Sequence, residues 1–368
     1  MHNLAIHILL VASFAYILEI LLLRIGLGKA NRFAKKSDFE PTVSIIVAAR
    51  NEERQIEQCL SSLLQLDYPR DKLEIIIVND LSNDRTPAII EEYVRRHGCV
   101  KMVTTLPEEG NLRGKTNAVA AGIDASHGEI LMFTDADCVV RQEWVSETVR
   151  SFDERVGIVG GFTLLDIHNA FEGMQALDWV YLFGISSASA GWRIPLTAIG
   201  NNLSVRRSAY DATGGYRRIP FSVTEDYSLV RAILSRTSYE LRFPSNTKTV
   251  VKSAACQNWK KLFRQKQRWG VGGLDMVPRG FVIMSIGWFL KMTLILGLFF
   301  VPVTVWLSAF CCKSFVDYLF VRKPLKQLGS LSALRYFFFF EIYFTVYVAV
   351  LPFVALLSKN VVWKERKL

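Results

Sequence analysis

Cysteine is scarce and unpatterned in this sequence. Its six cysteines (Cys59, Cys99, Cys138, Cys256, Cys311 and Cys312) show no C-x-x-C spacing and have no histidine partner pattern. They read as reduced cytosolic thiols packed as small hydrophobes, which leaves out a disulfide framework and a thiolate metal site. No internal repeat or low-complexity segment occurs, so the 368 residues suit one large domain with appendages. Acidic residues are the minority, 34 against 44 Lys plus Arg, for a net charge of +10. That balance first raises nucleic acid as a partner. Long apolar runs make anionic lipid headgroups the better partner, and no nucleic acid is expected.

Hydrophobic residues reach 51% and are concentrated in three places. Leu4 to Leu23 is broken only by His7, Ser13 and Glu19. No lysine or arginine precedes this run and no small-x-small site follows it, so it reads as an anchor over 1–28, not a signal peptide. Arg24, Lys29, Arg32, Lys35 and Lys36 follow it and place the next domain in the cytoplasm. A second segment, 281–312, is too long for one span and short for two; a tilted span or a re-entrant hairpin is expected. A third, 333–358, suits one transmembrane helix. Lys313, Arg322, Lys323 and Lys326 between them, and Lys359, Lys364, Arg366 and Lys367 after them, all favour the inside, which these segments cannot satisfy together. Glu19, Lys291 and Glu341 fall inside apolar runs and are not assigned to the site.

Between the anchors, apolar β-branched stretches alternate with helical periodicity. Strands are predicted at Val43–Ala48, Leu73–Val78, Cys99–Thr105 and Glu129–Phe133. Helices are predicted at Glu52–Leu66, Pro87–His97 and Thr116–Ala125. This alternation implies a parallel, doubly wound α/β sheet whose strand carboxyl ends hold the ligand. Ala170–Ala190 is apolar but carries Glu172 and Asp178, and a pocket-lining helix pair is expected there.

Three stretches then carry chemistry. Asp135 and Asp137 sit at i and i+2 where a strand ends, so two carboxylates leave one face of an extended chain. Such oxygen ligands suit Mg²⁺ or Mn²⁺ shared with substrate phosphates; two solvated turn aspartates are the alternative. Asp80 follows the second strand and can accept hydrogen bonds from a nucleobase edge, while Asp84 reads as a helix cap. Gly114-Lys115 opens a helix, and lysine beside helix amides suits a diphosphate. Glu225-Asp226 supplies a carboxylate base for an acceptor hydroxyl. Gln265, Arg268 and Trp269 at i, i+3 and i+4 share a helix face, with Arg forking onto phosphate and Trp offering a flat apolar surface. Trp259, Lys260, Lys261, Phe263, Arg264 and Lys266 read as an interfacial basic helix.

Together the stretches resemble the family-2 glycosyltransferases, inverting enzymes of GT-A fold, over about Pro41 to Gly273. The resemblance implies a GT-A nucleotide-diphospho-sugar transferase domain at 41–273, with a Rossmann-like sheet and transmembrane helices on both sides. It assigns Ala48, Arg50 and Glu52 to the nucleotide-binding start and Asp80 to the base, with Asn79 and Leu81 standing where the family pattern has Asp and Gly. It assigns Asp135 and Asp137 to the metal and Asp226, in Thr-Glu-Asp, to catalysis. Gln265, Arg268 and Trp269 match the motif of polysaccharide synthases, a form of which ceramide glucosyltransferases also carry. Asn201 and Asn202, with Glu225, fall in the segment near donor and acceptor. The implied donor is a nucleotide sugar, preferably UDP-linked, and the implied acceptor a lipid or glycan at the cytoplasmic leaflet. A processive polysaccharide synthase is the alternative, and a non-enzymatic scaffold the third reading.

Overall fold

The computed structural model describes residues 2–32, 39–357, 361–364 and 366–367. Expectations resting on Lys35, Lys36 and Lys359 lie outside them. Helix α1 (His2–Arg32) precedes β1 (Val43–Ala49), α2 (Ile56–Leu64), β2 (Leu73–Asn79), α3 (Thr86–Arg96), β3 (Val100–Thr104), α4 (Gly114–Asp124) and β4 (Ile130–Asp135). The chain continues through α5 (Trp144–Val149), β5 (Val156–Gly160), β6 (Thr163–Leu165), α6 (Ala170–Gly191), β7 (Leu203–Arg206), α7 (Arg207–Asp211), α8 (Gly215–Arg218) and α9 (Glu225–Arg236). After β8 (Glu240–Arg242) and β9 (Val251–Ser253) come α10 (Trp259–Gly273), α11 (Pro278–Phe300), α12 (Val303–Gln327) and α13 (Phe337–Leu357). Val362–Trp363 and Arg366–Lys367 pair as a small antiparallel hairpin.

The main sheet has the order β3-β2-β1-β4-β7-β5-β8. The first four strands are parallel, as expected from their alternation with helices. Alternate residues serve opposite faces: Ile46, Ile76, Val78 and Leu131 pack toward α4 and α6, while Ile45, Val47, Ile77 and Met132 pack toward α2, α3 and α5. Burial on both faces explains the continuous apolar runs. The all-parallel expectation fails at β7, which is antiparallel to both β4 and β5. Long helix α6 and residues 192–202 return the chain to the carboxyl end of β4, where Leu203 pairs with Phe133. That reversal sets Gly200 and Asn201 on the ligand-binding edge.

Four helices are long and apolar enough to cross a membrane: residues 2–30, 278–300, 303–327 and 331–357. The single segment expected at 281–312 is therefore two helices, broken at Val301–Pro302 because proline cannot continue the first helix. Lys313, expected in a loop, is fully buried inside α12. Its ammonium lies 2.6 Å from Glu341 and 3.0 Å from Asp317. Asp317 accepts from Tyr16 at 2.7 Å, and Lys291 sits beside the same tyrosine. The intramembrane charges thus satisfy one another inside the helix bundle. Region 170–191 is one continuous helix rather than a pair. It is buried against α1, α12 and α13.

Candidate active site

At the carboxyl edge of the sheet, β1, β2 and β4 end side by side, with Ala48 paired to both Val78 and Asp135. This edge gathers the polar residues that the alternating pattern leaves after each strand. Asp135 closes β4, but residues 136 and 137 form a turn, with Cys138 N–H donating to Asp135 O at 3.0 Å. The extended-chain reason for pairing the two carboxylates is therefore wrong, although the turn still keeps them in electrostatic contact. Burial and the charge of Asp135 both push the Asp137 carboxyl up.

Lys115, in the first turn of α4, bridges the motifs. Its ammonium donates to Asp135 Oδ1 at 2.6 Å and lies 3.0 Å from Glu225 Oε1. Burial would lower its pKa, but the two carboxylates outweigh that and raise it. Burial likewise opposes ionisation of Asp135, and Lys115, reinforced by Arg268 and Lys364, holds that carboxyl below its usual value. The lysine read from sequence as a diphosphate ligand is also the link between the Asp-x-Asp turn and the Glu-Asp pair.

Asp226 sits in the first turn of α9. Its Oδ2 accepts from Gly200 N–H at 2.7 Å and its Oδ1 from Tyr227 N–H at 2.8 Å. These amides aim the carboxylate. Burial, then the neighbouring charge of Glu225, push its pKa up to about 6. That is the range of a working general base.

At the β2 end, Asp80 is 1% exposed and accepts from Thr105 Oγ1 at 3.2 Å. Arg366, from the hairpin near residue 366, reaches both of its carboxylate oxygens at 3.1 Å. Lys364 pairs with Glu52 at 2.5 Å, and Arg50 donates to Asp80 O at 2.6 Å. Burial raises the pKa of both Asp80 and Glu52, and the two cations act against it. No motif in the sequence connected residues 364 and 366 with this edge. Leu81, at the family's glycine position, has φ 51° and is exposed. The turn keeps a left-handed residue there at a strain of about 1 kcal/mol. Leu81→Gly is expected to raise the melting temperature in detergent without changing transfer. Asp84 is structural as expected, accepting from Thr86 N–H at 2.9 Å.

Two expected pocket residues are turned inward. Asn202 donates to Phe162 O and Thr249 O, each at 2.9 Å, and accepts from Trp144 Nε1 at 3.0 Å. With its amide fully engaged in the core, it is a packing residue. Asn201 Oδ1 accepts from Thr163 Oγ1 at 3.0 Å, which commits that side chain to β6. On α10, Gln265 Oε1 is buried without a hydrogen-bond partner among the described residues. Trp269 stacks its ring 5.5 Å from Trp179, so part of its expected sugar-facing surface is covered. Lys266, expected at the membrane interface, is 4% exposed.

No group of three or more His, Cys, Asp or Glu side chains forms a metal cage among the described residues. Two mutually repelling carboxylates are nevertheless a fitting donor set for a hard divalent ion that completes its shell with a diphosphate.

The comparisons agree with this geometry. The model of a family described as Glycosyl transferase family 2 matches residues 44–227, half of the chain. A probable glycosyltransferase, YdaM of Bacillus subtilis, is 31% identical over 248 residues, covering 64% of this chain and 56% of that protein. The beta-monoglucosyldiacylglycerol synthase of Trichormus variabilis is 30% identical over 240 residues, covering 63% and 49%. The chain thus spans about half the length of these curated relatives. The mannosyltransferase PcManGT from Pyrobaculum calidifontis, solved with GDP-Man and Mn²⁺, superposes with a TM-score of 0.59 at 18% identity. That superposition covers 92% of this chain and 99% of the other, and it establishes a shared GT-A fold.

Proposed function

The chain belongs to glycosyl transferase family 2, and from that premise we propose that it is a membrane-bound inverting transferase. It moves one sugar from a nucleotide sugar, UDP-linked by preference, to the hydroxyl of a lipid acceptor at the cytoplasmic leaflet. The observation that carries this reading is the Lys115 bridge, which brings the Asp135 and Glu225 stretches together beside Asp226.

Asp226 takes the proton of the acceptor hydroxyl as the new glycosidic bond forms and the bond from sugar to diphosphate breaks. The diphosphate leaves with the bonding electrons, and displacement from the opposite face inverts the anomeric carbon. Arg268 and Lys115 bind and orient the diphosphate, and Asp80 holds the nucleobase. Asp135 and Asp137 would hold Mg²⁺ or Mn²⁺, which offsets negative charge on the leaving group when bound. Carboxylate attack on the sugar itself is not required, because the acceptor oxygen is the nucleophile.

A single transfer is favoured over a polymerase by the filled interior of the helix set. Lys313, Asp317, Phe320 and Phe340 there are 0% exposed and occupy the space a glycan would thread. Orientation follows from charge. Lys323 at the end of α12 donates to Arg24 O beside the catalytic domain at 2.9 Å, and Lys364 and Arg366 also reach that domain. With all of these inside, α1, α11 and α12 cross while α13 begins and ends on the cytoplasmic side. This arrangement satisfies the basic segments that three simple spans could not.

The test offers purified protein in detergent each UDP- and GDP-sugar, with Mn²⁺ or Mg²⁺ and a lipid extract containing diacylglycerol. One lipid species heavier by one sugar is the expected product. A ladder of additions identifies a polymerase, and absence of both transfer and nucleotide binding overturns the enzyme reading. Because Arg366 occupies Asp80, Arg366→Ala is expected to lower the Kd for UDP by about tenfold, the equivalent of one charge-assisted contact of about 1.4 kcal/mol. Titration calorimetry reads that shift directly.

A further inference from the structure

We propose that Lys266 is a positioning residue for sugar transfer, its ion pair with Asp178 setting the rotation of α10 that turns Gln265 and Arg268 toward the reaction edge. This deepens the reading above and rests on Arg268 serving the donor. Lys266 differs from the rest of its basic helix. Lys260, Lys261 and Arg264 are exposed, whereas Lys266 and Asp178 have side chains only 5% exposed and in direct contact. The ammonium lies 4.1 Å from the Trp269 ring centroid and 5.0 Å from that of Tyr347. Tyr343 donates to Asp178 Oδ2 at 3.3 Å. One lysine therefore joins α10 to α6 and to the apolar helix α13.

Helical geometry translates that clamp into the site. Gln265, Arg268 and Gly272 fall at i, i+3 and i+7, on one face. At Gly272 a Cβ would lie 2.4 Å from Thr224 Oγ1, immediately before Glu225 and Asp226. The charge of Arg268 acts on Asp135. Lys266 and Gly270, at i and i+4, share a different face, and a Cβ at Gly270 would lie 2.9 Å from Leu351 of α13. Helix α10 is wedged closely on both sides, so a small rotation moves Arg268 relative to the aspartates. Apolar packing tolerates such rotations, whereas a short ion pair within an aromatic enclosure resists them. A buried ion pair adds little stability over an apolar pair of similar volume. Its contribution here is directional.

The experiment compares Lys266→Met, Asp178→Asn and the double variant Lys266→Met/Asp178→Leu with the parent, reading melting temperature, kcat and donor KM in detergent. Lys266→Met is expected to melt lower, since it strands the Asp178 charge. The double variant is expected to recover the melting temperature yet keep kcat/KM about ten- to hundredfold down, the size of a sub-ångström to ångström misplacement. Most of that loss is expected in donor KM. Recovery of kcat/KM together with melting temperature overturns the proposal, because Lys266 would then only neutralise Asp178. If the double variant does not fold, Asp178→Asn decides: unchanged kcat/KM per folded molecule overturns the proposal, and a drop of about tenfold supports it. Arg268→Ala is the control. Unchanged donor KM and kcat there defeat the donor-site reading itself, whereas a large loss there beside a fully active double variant defeats only the role of Lys266.

Discussion

Asp226→Asn lowers kcat for sugar transfer by about a thousandfold while leaving the Kd for UDP within about twofold of the parent, the expected pattern for loss of a general base. Asparagine keeps the shape and one acceptor oxygen for Gly200 N–H or Tyr227 N–H, so the fold around α9 survives. It cannot take a proton. The pH profile supplies the second half of this result. The Asp226 carboxyl is pushed up to about 6 by burial and then by Glu225. Below that pH it is protonated and inactive as a base; above it the carboxylate is available. Transfer therefore rises as pH increases through about 6 and levels off above. Glu225→Gln removes one of the two causes and is expected to move the acid limb of kcat/KM to lower pH. An acid limb that stays in place in Glu225→Gln, or survives in Asp226→Asn with parental kcat, would remove Asp226 from the base role.

The second large effect is expected at the metal turn. Asp137→Asn raises the Mn²⁺ concentration giving half-maximal transfer by at least about 10- to 100-fold, since even an outer-sphere partner of a metal ligand is worth that much. The physical reason lies in the pair. Asp137 is raised by burial and by Asp135, so its ionised form is held at a cost that a bound cation relieves. Metal binding should weaken as pH falls and Asp137 takes up its proton. Melting curves with and without Mn²⁺ and UDP give an activity-independent measure: the parent is expected to be stabilised by the two together, and Asp137→Asn much less. Equal metal response in both proteins would count against Asp137 as a ligand.

Much of this was legible from residue order. The runs Val43–Ala48, Leu73–Val78 and Glu129–Phe133 are apolar and β-branched, and each ends on polar residues. The observed strands β1, β2 and β4 fall within two residues of them. Burial on both faces of a parallel sheet demands that composition, so the pattern is a local signal. Pro302 was equally legible as the break between α11 and α12, but the apolar run 281–312 was read by hydrophobicity alone. Asn201 and Asn202 were assigned to a pocket because their sequence position suits one. Nothing local distinguishes an asparagine facing a ligand from one satisfying buried carbonyls.

Lys266 separates the two levels most sharply. Its neighbours Trp259, Lys260, Lys261 and Arg264 give α10 a basic amphipathic pattern, and by periodicity alone the lysine belongs to the membrane interface. Its burial depends on Asp178, which is 88 positions earlier, and on Tyr347, which is 81 positions later. The same holds for Arg366 on Asp80, a contact spanning 286 positions. The sequence by itself determined the chemistry available: paired carboxylates, a base, phosphate-binding cations and apolar anchors in an order that identifies the family. Only the tertiary structure decided which of those charges face one another, because Coulomb energy and desolvation depend on distance and burial, and a linear chain specifies neither.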